Sequence, residues 1–155
     1  MYDEVAKVIQ PDYTEPEAVF GLQRYIKSLK KLGELAMQHP DMIVLPAHRV
    51  FYAGQWNGLQ LADRVNGLIQ HHVDRCAAIL EILGTGLKSA EEIAREHFEE
   101  SLLEGFGSMM AANEIVSHCE LLSKSGDVIS VDGNKYTATG SDGFERHIQE
   151  LRSEY

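Results

Sequence analysis

The run Met42-Ile43-Val44-Leu45-Pro46-Ala47-His48-Arg49 places an imidazole just past a short apolar segment. A histidine where a buried strand gives way to a loop suits a metal ligand or a catalytic base, because the strand fixes the backbone while the loop faces the ligand. Neutral imidazole ligates zinc, iron or manganese, and a second group normally fixes its tautomer. The bland alternative is a loop histidine bonded to nearby backbone. Arg49, next in line, would favour an anionic substrate. Phe51, Tyr52 and Trp56 follow between glycines and would either line a substrate mouth or pin the loop to the core.

A second spacing with chemical content is His72 and Cys76, at i and i+4 on one helix face. A soft divalent ion can use that geometry, but Cys76 belongs to an apolar stripe and no third ligand stands nearby, so both read as structural helix residues. No Gly-x-Ser-x-Gly elbow occurs, and Gly84-Thr85-Gly86-Leu87-Lys88 lacks the spacing of a phosphate loop.

The elements that must position these residues follow from periodicity. Thr14-Glu15-Pro16-Glu17 has the form of a capping box with proline in the first turn, and Leu22, Ile26, Leu29, Leu32 and Ala36 continue one helical face to about Gln38. His39-Pro40-Asp41 ends that helix. Met42 to Leu45 is expected as a short buried strand and Pro46 to Gly58 as a loop. A helix from about Leu61 to Leu83 carries the stripe Ile69, Val73, Cys76, Leu80, Leu83, with Gly84 as its stop. Ser89-Ala90-Glu91-Glu92 opens a short helix to Phe98, and a longer one spans about Ser108 to Lys124, presenting Ala112, Ile115, Val116, Cys119 and Leu122. Two β-prone runs around Asp132-Gly133 predict a hairpin, and a polar tail of helical character closes the chain.

Helix, short helix, longer helix, hairpin is the order of a winged helix. The first part, with a helix, one strand, a loop and a helix, leaves a strand without a pairing partner, so an upstream segment is expected to complete it.

Charge limits what such a module can bind. The net charge is −10, unevenly spread. Residues 1–67 hold eight acids and seven bases, whereas residues 68–140 hold twelve acids and five bases. A surface of that sign repels phosphate backbones and anionic lipid, so DNA and membrane partners are not expected. No apolar stretch approaches the roughly 18 to 20 residues that span a bilayer, and no secretory signal is visible. Cys76 and Cys119, in no CxxC arrangement, are expected as buried free thiols of a cytoplasmic protein.

The path from Met42–Leu45 into Pro46-Ala47-His48 resembles the last metal-ligand motif of the metallo-β-lactamase superfamily, where a strand ends in Leu-Pro-Gly-His. Downstream, Gln70-His71-His72-Val73-Asp74-Arg75, Ser89-Ala90-Glu91-Glu92-Ile93-Ala94, Asn113-Glu114-Ile115-Val116-Ser117-His118 and Ser125-Gly126-Asp127-Val128 are similar to the helix and small winged-helix extension of many bacterial members. Tyr25-Ile26-Lys27-Ser28-Leu29 is similar to the helix before the last strand. The resemblance covers roughly residues 15 to 140. It departs at Ala47 and Arg49, where glycine is commoner, and in having no HxHxDH cluster anywhere in the chain.

What the resemblance implies is an α+β, mostly α-helical chain. Residues 1–60 would be the C-terminal remnant of an αββα hydrolase domain, 61–86 a connecting helix, 87–140 a winged-helix-like extension and 141–155 a polar tail. His48 would ligate zinc or another divalent metal only together with upstream ligands, and this chain alone would hold no catalytic residue. Its partners would be the upstream hydrolase domain and a second copy in a homodimer. The alternative class is a stand-alone protein–protein interaction or dimerisation module, and a third is a winged-helix DNA-binding protein.

Overall fold

The computed structural model describes residues 21–45, 51–52, 54–56, 58–132 and 135–153. The chain is α+β and mostly helical. Helix α1 (Leu22–Gln38) starts after Gly21, at φ +98°, and the capping box expected at Thr14–Glu17 lies outside the described residues. It buries Leu22, Ile26, Leu29 and Ala36, while Leu32 faces outward. The His39 amide donates to the Leu35 carbonyl before Pro40 prevents another turn.

The strand expected over Met42–Leu45 forms as β1 (Ile43–Val44), but it is not buried. Ile43 is 62% and Leu45 61% exposed. It does find a partner within the chain, pairing antiparallel with β4 (Leu59–Gln60) through Ile43 opposite Gln60 and Val44 opposite Leu59. A pairing two residues long with no described element over its outer face leaves those side chains in solvent. The stretch expected as a plain loop also contains a hairpin, β2 (Phe51–Tyr52) against β3 (Gln55–Trp56), turning at Gly54 with φ +80°.

Helix α2 (Leu61–Leu83) is the central element, burying Leu61, Val65, Ile69, Cys76, Ile79 and Leu83. Val73 and Leu80 of the expected stripe lie at its margin. Gly84 continues the right-handed backbone, its amide bonding back to Leu80 and Glu81, and the reversal falls at Gly86 with φ +131°. Strand β5 (Lys88–Ser89) leads into α3 (Ala90–His97). The predicted capping box forms there: the Ser89 hydroxyl accepts the Glu92 amide at 3.3 Å, and the Glu92 carboxylate accepts the Ser89 amide at 2.7 Å.

A single 3-10 turn (Glu100–Leu102) leads to α4 (Phe106–Ser125). Gly107 is required there, since a Cβ would stand 2.1 Å from the Leu102 carbonyl oxygen. The buried side of α4 is rotated from the expected face and comprises Ala111, Ile115, His118, Cys119, Leu121 and Leu122. Gly126, at φ +84°, closes it in the left-handed conformation that glycine tolerates best.

Strands β6 (Val128–Val131) and β7 (Lys135–Ala138) form the predicted hairpin. Strand β5 pairs with the other edge of β7, giving the antiparallel order β5-β7-β6. The polar tail contains α5 (Phe144–Ser153), which buries Phe144, Ile148 and Leu151 at i, i+4 and i+7. These join the same core as α1, α2 and α4. Each fully buried Ile or Leu there contributes about 1.5–3 kcal/mol relative to exposure.

Candidate functional site

Among the residues singled out from the sequence, His48 and Arg49 lie outside the described residues. Phe51, Tyr52 and Trp56 are placed by backbone only: Phe51 stands opposite Trp56 and Tyr52 opposite Gln55 in the β2–β3 hairpin. The hairpin follows directly on the segment that holds His48, between β1 and the start of α2.

The most concentrated chemistry among the described residues is a histidine cluster where α2, α3 and α4 meet. His72 Nδ1 lies 3.1 Å from His118 Nε2, and His118 Nδ1 lies 2.7 Å from the Glu114 carbonyl oxygen. A carbonyl only accepts, so the His118 proton sits on Nδ1 and its Nε2 is a lone pair. His72 must therefore carry its own proton on Nδ1 and donate it to His118. Both rings are neutral in this arrangement. Burial is the main cause, reinforced by neighbouring histidines and Arg75, and it pushes His72 down to about 4 and His118 down to about 3.

The surrounding shell is cationic and aromatic. The Arg75 guanidinium donates through Nε to His97 Nε2 at 3.2 Å, pairs with the Glu114 carboxylate, and lies 5.2 Å from the Phe98 ring centre. His97 is thus also a neutral acceptor, and burial followed by Arg75 lowers its proton affinity. Tyr25 of α1 meets the His72 ring edge-on at 5.5 Å. The cluster ties three helices together through fully specified donors and acceptors.

The i, i+4 pairing of His72 with Cys76 is not used. His72 turns to His118, and Cys76 is buried with its thiol pushed up to about 12, chiefly by desolvation. Cys119 is likewise buried and pushed up to about 12, so neither offers a thiolate at neutral pH. No group of three or more His, Cys, Asp or Glu side chains able to hold a metal ion occurs among the described residues.

Sequence reasoning missed the His72–His118 pair because its members are 46 positions apart. The available signal was local: each histidine sits on the apolar face of a helix, four residues before Cys76 and one before Cys119. Two polar residues of α4 and the turn that follows it are internal. His118 is in the cluster, and Asp127 is buried, accepting the Gly143 amide at 2.7 Å and the Ser125 hydroxyl. Asn113 and Glu120 of α4, Lys124, and Asp132 and Lys135 at the hairpin are exposed polar residues.

No helix among the described residues is long and apolar enough to cross a membrane. No family model matches the chain, and neither a curated protein nor a solved structure matches it.

Proposed function

We propose that this chain is the C-terminal portion of a metal-dependent hydrolase of the metallo-β-lactamase superfamily. In this reading residues 87–140 are a winged-helix-like packing or dimerisation module, and the chain is not catalytic by itself. What supports it most is the order helix, strand, helix, helix, strand, strand from α2 to β7, with the strands arranged β5-β7-β6. In this reading those elements serve as the helices and wing of a winged helix, and in sequence they follow a helix and short strand that lead to Pro46-Ala47-His48.

Exposure supports the same assignment. Met37 at the end of α1 is 77% exposed, and Ile43 and Leu45 project beside it in sequence. An upstream hydrolase domain of the same polypeptide would cover such an apolar surface. His48 would be one ligand of zinc or another divalent metal, with the remaining ligands upstream. A bound metal of this kind supplies an activated water for hydrolysis. Arg49, Phe51, Tyr52 and Trp56 would stand at the mouth of that site. The protein would be cytoplasmic, in keeping with two buried free thiols.

DNA binding is disfavoured because the module carries ten acids against four bases and turns His118 inward. The stand-alone interaction module is favoured by one observation of its own, the apolar lip of α4, where Phe106 is 83% and Met110 63% exposed.

The test is metal analysis of the natural protein purified from its source cells, with and without His48→Ala. The expected result is a divalent metal that falls by about half in the variant, as one of two ion positions loses a ligand. Natural protein without metal, or metal content indifferent to the substitution, would remove the hydrolase assignment.

A further inference from the structure

Helices α3 and α4 do not close against each other along their whole length. Between them lies an open groove of about 880 Å³. Phe98, Leu103 and Met109 supply apolar walls, while Glu91, Glu100 and Glu104 border it against one cation, Arg95. The Glu91 carboxylate accepts the Ser89 hydroxyl at 2.8 Å. Glu100 and Glu104 pair with no cation among the described residues.

The first turns of α4 extend the apolar surface beyond the groove. Phe106, Met109 and Met110, at i, i+3 and i+4, share one face and are all exposed, and Leu102 stands exposed before them. Other exposed apolar side chains occur on α1, at Tyr25, Leu32 and Met37, but here four fall within nine positions. Methionine is unbranched and polarisable, and suits surfaces that adapt to an inserted side chain.

We propose that this groove is a docking site for a basic amphipathic helix of a partner protein. The partner's apolar side chains, spaced i, i+3 or i+4, and i+7, insert between α3 and α4, and its flanking lysines or arginines meet Glu100 and Glu104. Charge complementarity selects this occupant: an acidic border repels nucleic acid, anionic lipid and acidic peptides while steering a basic segment to the apolar floor. A trough between two helices accepts a third helix, whereas a peptide bound by strand addition needs a free sheet edge. The site stands on the groove alone and does not depend on a metal centre elsewhere in the protein.

The probe is a synthetic Leu/Lys peptide of about eighteen residues, roughly five helical turns, with its leucines on one face. Two controls are a peptide of the same composition in an order that leaves no apolar face, and a Leu/Glu version of the probe. Binding is followed by amide chemical shifts and by titration calorimetry. The Leu/Lys helix is expected to bind, with shifts confined to α3, the 3-10 turn and the first half of α4. Affinity should fall about tenfold or more in Glu100→Lys/Glu104→Lys, and similarly in Met109→Gln. These positions are exposed, so unchanged circular dichroism and thermal midpoint will show that the variants fold. No binding, equal binding of the reordered peptide, or affinity unaffected by these variants would overturn the proposal. A salt-sensitive dimer of the chain that Glu104→Lys dissociates would overturn it too, by making a second copy the occupant.

Discussion

The His72 Nδ1–H of α2 donates a hydrogen bond to His118 Nε2 of α4 across 3.1 Å, and the His118 Nδ1–H donates in turn to the Glu114 carbonyl. The chain of donors runs one way and ends on backbone. Every proton in it is needed, and a further proton has no place between the two rings.

That relationship sets the acid sensitivity of the fold. In the unfolded chain both imidazoles take the ordinary value of 6.5, while folding lowers His72 to about 4 and His118 to about 3. Between those limits the unfolded state binds more protons, so acid favours unfolding. The stability contributed by keeping the rings neutral is fully present above pH 6.5 and is lost as pH falls through 4 and towards 3. Urea midpoints measured from pH 7.5 to 4 are expected to fall most steeply below 6.5, and His118→Gln is expected to flatten that slope. A wild-type slope no steeper than the variant's would show that the pair does not titrate this way.

The coupling between the two rings is separable from burial. His118→Ala leaves the His72 donor without its acceptor in a half-buried position and opens a cavity, for an expected loss of about 2–4 kcal/mol. In a double-mutant cycle with His72→Ala the interaction energy should be about 0.5–1.5 kcal/mol. Additive losses, measured by chemical denaturation, would mean that the 3.1 Å contact carries no net stabilisation.

Asp127 fastens the last helix. Its carboxylate accepts the Gly143 amide at 2.7 Å and the Ser125 hydroxyl, joining the end of α4 to the residue that precedes α5. Asp127→Ala leaves a buried amide unsatisfied, with an expected cost of about 1–3 kcal/mol. Amide exchange should rise in Phe144–Ser153 more than in α2. Uniform loss of protection across all helices would place Asp127 in the global core rather than at this joint.

Much of this architecture was visible in the residues themselves, and its gaps have physical causes. Periods of three and four located α1 to α4, and the Ser89–Glu92 box fixed the start of α3 because its partners are three positions apart. Strand β5 escaped notice: two residues are too few for an alternating pattern, and the partner in β7 lies some 47 positions downstream. The stripe Phe144, Ile148, Leu151 was present in a tail whose polarity masked it. Ile43 and Leu45 read as buried because apolar strands usually are, whereas exposure depends on what packs over them. The histidine pair is legible only in three dimensions. Of the positions singled out from resemblance, His48 and Arg49 lie outside the described residues, and Phe51, Tyr52 and Trp56 are placed by their strand register alone.

The central claim is that these helices and strands are the C-terminal part of a larger metal-dependent hydrolase. The most direct test is the mass of the natural protein in its source cells, measured with antibody raised against this chain. The account predicts a species clearly heavier than 17.3 kDa, whose upstream sequence supplies the missing metal ligands. A natural protein of 17.3 kDa would contradict it, leaving His48 without a ligand set and the module to act through its surface alone.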